Sequence, residues 1–183
     1  MRTFFSCAVL AVATLFALAP AVSVAEVPKV GDKSPDFEMV GSDGKTYKAK
    51  DFIGKKAVII AWFPRAFTGG CTKECKSMKE SGEMLKKYDV AYFTASTDPV
   101  EKNADFAKSL ELDYPILCDP KGTNAKMFGI LSSDGSKASR TTFIISKDGK
   151  IAAVDSKVNT ETHGKDLANQ LEKLGVEKVT AKK

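Results

Sequence analysis

The sequence is short of the residues that build metal sites. It contains one histidine, one tryptophan and four cysteines. A structural zinc ion needs four ligands, and the irregular spacing of the cysteines and of His163 does not supply such a set. We therefore expect no bound metal ion and no cofactor.

A strong charge of one sign is also absent. The chain has 28 basic and 23 acidic residues, and its formal net charge is +5. Lysines are interleaved with acidic residues, and the lysine-rich end, residues 178–183, is typical of a solvated tail. The sequence contains no internal repeat, low-complexity block or long linker, so we expect one domain and no nucleic-acid partner.

The only long apolar run is at the front of the chain. Arg2 precedes apolar residues 7–19, and Ser23-Val24-Ala25 has the small-x-small pattern of a cleavage site. This arrangement predicts a secretory signal peptide over residues 1–25 and a single domain over residues 26–183. A retained membrane anchor is the alternative, but the run is shorter than the roughly 20 residues that span a bilayer.

The predicted signal peptide implies a periplasmic or secreted protein without stable membrane association after cleavage. An oxidising compartment also favours disulfides. A structural disulfide among Cys71, Cys75 and Cys118 is therefore an alternative to a pair that cycles between thiol and disulfide.

Apolar periodicity and turn residues predict an α/β domain. Two strands flanking Gly41-Ser42-Asp43-Gly44 predict an N-terminal hairpin, and a second hairpin is predicted across Lys147-Asp148-Gly149-Lys150. Between and after them we expect strands at residues 58–63, 90–95 and 116–118 and helices at residues 72–88, 100–110 and 161–174. The order of these elements predicts a mixed central sheet flanked by helices.

Cys71 lies where the predicted central strand, a turn and a helix start meet. Pro64 and Gly69-Gly70 are typical turn residues, and the helix is expected from Thr72. Free backbone N–H groups and the helix dipole favour a thiolate at this position. A buried structural cysteine is the other interpretation, but a Gly-Gly turn rarely precedes one.

The spacing Pro64-x-x-x-Thr68-x-x-Cys71 resembles the active-site pattern of peroxiredoxins, the thiol peroxidases of the AhpC/TSA superfamily. The likeness extends to residues 31–37, 91–96, 114–119 and 139–145, and it is greatest to the bacterioferritin-comigratory, or Q-type, branch. Two details depart from that branch. Gly69-Gly70 stands where Pro-Gly is usual, and Cys75 follows Cys71 by four positions where the branch has five.

The resemblance implies a thioredoxin-like fold and reduction of hydrogen peroxide or organic hydroperoxides. By this likeness, Cys71 attacks the peroxide, and Thr68 hydrogen-bonds both the peroxide and the thiolate. Pro64 shields the sulfur from water. Arg140, before a late strand, supplies a permanent cation with five fixed donors.

The resemblance also implies a sulfenic acid that condenses with a second thiol, for which Cys75 is the first candidate and Cys118 the second. Residues four apart on a helix have Cα atoms about 6 Å apart, within disulfide range, but their Cβ atoms are about 5–6 Å apart, which is too far for a relaxed bridge. Cys75 also lies on an apolar helix face and is alternatively a core residue. A thioredoxin-like protein is the expected reductant, and we expect a monomer or weak dimer.

Two other functions fit parts of the pattern. An exported thiol–disulfide oxidoreductase normally carries Cys-x-x-Cys, one residue shorter than the spacing here. A copper-binding assembly factor carries Cys-x-x-x-Cys and a distant histidine. That histidine precedes a late strand, where this chain has Ser139-Arg140, and we expect His163, before the last helix, to face solvent.

Overall fold

A computed structural model describes residues 26–179 of the chain. The predicted signal peptide lies outside these described residues. A seven-stranded mixed sheet forms the centre, with the strand order β2-β1-β5-β4-β3-β6-β7. The strands are β1 (Glu38–Gly41), β2 (Thr46–Lys48), β3 (Ala57–Trp62), β4 (Val90–Ser96), β5 (Ile116–Cys118), β6 (Thr141–Ile145) and β7 (Ile151–Asp155).

In the described part of the chain, five helices accompany the sheet, and both predicted hairpins form as β1–β2 and β6–β7. The helices are α1 (Gly69–Glu80), α2 (Gly82–Leu85), α3 (Val100–Ser109), α4 (Thr123–Met127) and α5 (His163–Lys173), and a short 3-10 turn covers Ala49–Asp51. Within residues 26–179, no helix combines the length and the apolar character needed to cross a membrane.

Strand β3 is buried along its whole length, as its continuous apolar sequence predicts. It pairs in parallel with β4 and antiparallel with β6, and Trp62 at its end stands opposite both Ala95 and Thr141. Because α1 begins shortly after β3, this register brings the first residues of β6 close to the first turn of α1.

The alternating side chains of β3 divide the apolar core into two halves. Ile60 and Trp62 pack with Phe143 on one side of the sheet. Ile59 packs on the other side with residues of α1 and α5, including Met78. Helices α1 and α5 therefore share one face of the sheet, and this packing determines which side chains can reach the start of α1.

The long helix predicted over residues 72–88 is wrong in its extent. Helix α1 begins earlier, at Gly69, and the chain leaves helical geometry at Ser81 before α2. Helix α5 packs closely at this break, since a Cβ built on Gly164 would lie 2.7 Å from Cβ of Ser81. The Gly164 N–H donates to Oγ of Ser77 at 3.2 Å. A tertiary contact thus accompanies a helix end that periodicity alone does not predict.

Candidate active site

The loop between β3 and α1 is held by a buried carboxylate. Asp98 is 1% exposed, and its Oδ2 accepts a hydrogen bond from the Ala66 N–H at 2.7 Å. Its Oδ1 lies 3.5 Å from Nη1 of Arg65 and 2.8 Å from Nζ of Lys102. Since a buried carboxylate needs such partners, Asp98 fixes the loop path that leads to α1.

Phe67 marks the sharpest point of this loop. Its φ of 66° lies in the left-handed region, which L side chains rarely adopt. The ring is 54% exposed and packs on Phe106 with a centroid distance of 4.9 Å. The strained conformation turns the chain abruptly into α1 and leaves an aromatic surface beside the helix start.

Cys71 is the third residue of α1 and is only 1% exposed. Backbone N–H groups in the first turn of a helix have no intrahelical partners, and the helix dipole makes this end partly positive. The sequence-based prediction placed Cys71 just before the helix. The structure places it inside the first turn, with Thr68 as the N-cap.

Arg140 reaches the sulfur directly. Its Nη2 donates a hydrogen bond to Sγ of Cys71 at 3.3 Å. Its Nη1 pairs with the carboxylate of Glu74, which is completely buried on the next turn of α1. A Cβ built on Gly70 would lie 3.3 Å from Nη2 of Arg140, whereas Gly69 has open space at the same position. The second glycine of the pair therefore leaves room for the guanidinium.

Thr68 and Pro64 flank the site on the same loop. Thr68 is exposed, and its hydroxyl donates to the carbonyl oxygen of Arg65 at 3.0 Å. Pro64, two residues beyond β3, is half-buried. Among the described hydrogen bonds, none joins Thr68 to Cys71, so its predicted contact with the sulfur stays a prediction.

Cys75 lies one turn further along α1 and is fully buried. Burial raises the pKa of the Cys75 thiol to about 12, against the smaller effects of hydrogen bonds from Tyr114 and Thr94, which lower it. The Tyr114 hydroxyl donates to the carbonyl oxygen of Cys75 at 2.9 Å. In this conformation Cys75 is a neutral thiol shielded from solvent.

Cys118 occupies a different part of the sheet, at the end of β5, two strands from β3. It is 4% exposed, and burial raises the pKa of its thiol. Its sulfur accepts a hydrogen bond from Nδ2 of Asn103 at 3.3 Å. Within residues 26–179, the three cysteines Cys71, Cys75 and Cys118 are free thiols.

The expectation that His163 faces solvent is wrong. The side chain is 2% exposed because α5 packs against α1 and β6. Its Nδ1 lies 3.1 Å from Oε1 of Glu74, and its Nε2 lies 3.0 Å from Oγ1 of Thr142. Burial lowers the pKa of His163 to about 4, so the imidazole is neutral near pH 7.

Glu74 is a site residue that was not predicted from the sequence. Its position three residues after Cys71 places both side chains on one side of the helix, and this spacing was a usable signal. Nothing local in the sequence marks His163 as a buried neighbour of Glu74. Among residues 26–179, no group of three or more His, Cys, Asp or Glu side chains is arranged to hold a metal ion.

Comparison with known proteins identifies the family. The model of the AhpC/TSA family matches residues 30–154. The chain belongs to the AhpC/TSA family. The peroxiredoxin Bcp of Bacillus subtilis is 30% identical over 141 residues, which cover 74% of this chain and 89% of that protein. The peroxiredoxin Bcp of Escherichia coli K12 is 30% identical over 149 residues, covering 78% of this chain and 95% of that protein.

Solved structures agree with the AhpC/TSA assignment. Peroxidoxin BcpB from Mycobacterium tuberculosis is 31% identical, with a TM-score of 0.73 over 80% of this chain and 97% of that one. A PrxQ variant from Xylella fastidiosa is 16% identical, with a TM-score of 0.75 over 81% and 98% of the two chains, and this likeness concerns the fold. The resemblance to peroxiredoxins of the Q-type branch and the thioredoxin-like fold are confirmed, and the enzyme is a thiol peroxidase.

Proposed function

We propose that this peroxiredoxin reduces hydrogen peroxide and organic hydroperoxides by attack of the Cys71 thiolate. The hydrogen bond from Arg140 to the Cys71 sulfur carries the proposal, because it joins a permanent cation to the sulfur at the positive end of α1. Both features stabilise negative charge on sulfur before attack. In this proposal, the Arg140 guanidinium and the positive end of α1 also stabilise the negative charge that develops on the peroxide oxygens during attack.

The first step forms one bond and breaks another. The Cys71 thiolate attacks one peroxide oxygen, an S–O bond forms, and the O–O bond breaks. The departing hydroxide or alkoxide takes up a proton, and Cys71 is left as a sulfenic acid. In the proposed arrangement Thr68 turns its hydroxyl toward the bound peroxide, Pro64 keeps water from the sulfur, and Arg140 orients the oxygen that is attacked.

The second step is condensation of the sulfenic acid with the thiol of Cys75. An S–S bond forms and water leaves, which protects Cys71 from further oxidation. Cys75 is the nearest cysteine along α1, whereas Cys118 lies two strands away from β3. Because Cys75 is fully buried and lies one helical turn on, we infer that the start of α1 unwinds before the disulfide forms.

A dithiol protein of the thioredoxin type closes the proposed cycle. It reduces the disulfide between Cys71 and Cys75 by thiol–disulfide exchange and is itself oxidised. We also propose that the enzyme acts outside the cytoplasm, because residues 1–25 have the composition of a signal peptide. N-terminal sequencing of protein recovered from the periplasm and from the culture medium tests cleavage after Ala25.

Intact-mass analysis tests the chemistry. Mature protein treated with one equivalent of hydrogen peroxide should lose two hydrogens, and peptide mapping should join Cys71 to Cys75. The variant Cys71→Ser should lose turnover, because a serine hydroxyl is not ionised near neutral pH. Peroxide consumption by Cys71→Ser above a few per cent of the parent, as a rough allowance for background, would contradict the role of Cys71. A bridge from Cys71 to Cys118 would move the second role to Cys118.

A further inference from the structure

Two ionisable side chains meet in the buried interface between α1 and α5, behind the candidate active site. Glu74 is completely buried, and His163 is 2% exposed. Burying a carboxylate is unfavourable unless partners compensate for the lost hydration. Arg140 pairs with one oxygen of Glu74, and Nδ1 of His163 lies 3.1 Å from the other.

The neighbours of the imidazole assign its tautomer. Glu74, as a carboxylate paired with an arginine, only accepts hydrogen bonds, so the ring proton belongs on Nδ1. The hydroxyl of Thr142 then donates to Nε2 across 3.0 Å. The Nδ1–Oε1 contact is not aligned as a regular hydrogen bond, and neither atom has another partner among the described residues. Among the described residues, Nδ1 of His163 and Oε1 of Glu74 therefore have only each other as a polar neighbour.

We propose that His163 is a positioning residue for peroxide reduction: it orients Glu74, which in turn holds the guanidinium of Arg140 against the sulfur of Cys71. The contacts run in an unbroken series from Thr142 through these side chains to the sulfur. The inference rests on the proposed role of Cys71. It adds a histidine that does not touch the sulfur.

Burial, and not the surrounding charges, keeps the imidazole of His163 in the required neutral form. Burial is the largest effect and lowers the pKa of His163, and Arg140 lowers it further. Asp155 on β7 and Asp166 on α5 act in the opposite direction. A neutral ring carries one proton and one lone pair, and this is the combination that Glu74 and Thr142 require.

Two amide substitutions separate the two ring nitrogens. In His163→Asn the amide nitrogen stands near the position of Nδ1 and keeps an N–H group beside Glu74. In His163→Gln the amide stands near the position of Nε2, and the N–H group beside Glu74 is lost. The measurement is the second-order rate constant for oxidation of Cys71 by hydrogen peroxide, followed by rapid quenching and mass spectrometry.

We expect His163→Gln to lower this rate constant on the order of tenfold, since misplacing a reacting group by 1 Å can cost up to about 10²-fold. We expect His163→Asn to retain most of the parental rate. If the asparagine variant is as slow as the glutamine variant, the donor at Nδ1 is not what matters, and the proposal fails.

A double-mutant cycle distinguishes positioning from general stabilisation. In an Arg140→Lys background the guanidinium that Glu74 positions is already absent. There His163→Gln should lower the rate constant by less than about twofold. An equal loss in both backgrounds would show that His163 does not act through Arg140 and would overturn the proposal. Should His163→Gln fail to fold, Thr142→Val takes its place in the same cycle, because it removes only the hydroxyl that donates to Nε2 and holds the ring in place.

Ser77→Ala is the matched control. It deletes the hydrogen bond between Oγ of Ser77 and the Gly164 N–H in the same helix interface, without touching Glu74. We expect lower thermal stability and an unchanged rate constant, and a rate loss equal to that of His163→Gln would argue against the proposal. Failure of the proposed function would appear as peroxidase activity in Cys71→Ser. Failure of the present inference would appear as additive effects of His163→Gln and Arg140→Lys on a rate constant that still reports oxidation of Cys71.

Discussion

Arg140 donates a hydrogen bond to the sulfur of Cys71 although 69 positions separate the two residues in the chain. The sheet explains the meeting. Strand β6 runs antiparallel to β3 with Thr141 opposite Trp62, so the residue before β6 lies at the end of β3 from which α1 starts. The register of β6 against β3 therefore brings Arg140 to Cys71.

Replacing Arg140 by lysine tests the arginine geometry. Lysine keeps the charge but cannot donate to Cys71 and Glu74 together from one planar group. A hydrogen bond to a charged group contributes about 1.5–3 kcal/mol, so we expect Arg140→Lys to slow Cys71 oxidation about tenfold or more. Stopped-flow or quenched-flow kinetics measure the effect, and an unchanged rate in a folded variant would make Arg140 structural.

The two glycines before Cys71 form a matched pair. Gly70→Ala places a Cβ 3.3 Å from Nη2 of Arg140, so the guanidinium must move by a few tenths of an ångström, whereas Gly69→Ala meets open space. Gly69→Ala should stabilise the protein by about 0.4–1 kcal/mol, and the close contact with Arg140 should remove part of that gain in Gly70→Ala. We expect a several-fold slower reaction with peroxide in Gly70→Ala alone. Equal rates in the two variants would show that the room beside Gly70 is not needed.

Cys75→Ser separates the two chemical steps. The first peroxide reduction should proceed at the parental rate, while thioredoxin-dependent turnover should stop, and Cys71 should reach sulfinic acid at lower peroxide doses. Peptide mass spectrometry follows the oxidation state. Continued cycling in Cys75→Ser, together with its loss in Cys118→Ser, would transfer the second role to Cys118.

Disulfide formation should also lower the protection of backbone amides from hydrogen exchange at the start of α1. Hydrogen exchange of the reduced and oxidised protein should show lower protection over residues 68–78 after oxidation and unchanged protection in β3 and β4. The helix must distort there because the Cβ atoms of residues four apart are about 5–6 Å apart, beyond relaxed disulfide geometry. Equal protection in both states would contradict unwinding.

Tyr114 restrains the same helix turn through its hydrogen bond to the carbonyl oxygen of Cys75. Such a bond contributes about 0.5–1.5 kcal/mol, so Tyr114→Phe should open the turn more often and speed disulfide formation about twofold to tenfold. The rate of Cys71 oxidation should not change. Tyr92→Phe removes a hydroxyl from the neighbouring ring, whose centroid lies 5.4 Å from that of Tyr114. It is the control and should leave both rates unchanged.

His163 should make the fold sensitive to acid. Its pKa is about 4 in the folded protein and about 6.5 when unfolded, so the unfolded chain binds more protons between these values and stability falls as pH falls. The loss between pH 7 and pH 4 should be about 3 kcal/mol. Urea unfolding of the parent and of His163→Asn measures it, and the variant should lack this part of the pH dependence. An equal pH dependence in both proteins would contradict the burial of a neutral histidine.

Local sequence patterns determined several secondary-structure elements of this protein and the position of Cys71. The apolar run of β3, the glycine turn after it and the position of Cys71 at a helix start follow from neighbouring residues, because backbone geometry and hydrogen bonding act over a few positions. The hairpin β6–β7 was predicted for the same reason, from its turn residues. The spacing from Pro64 to Cys71 likewise pointed to the family before any contact was known.

Tertiary structure alone decided the surroundings of the sulfur. The reach of Arg140 depends on the pairing of β6 with β3, and the burial of His163 depends on Gly164 allowing α5 to approach α1. The end of α1 at Ser81 belongs to the same packing. These outcomes depend on contacts between residues far apart in the chain, and a local pattern carries no information about which distant surfaces will meet.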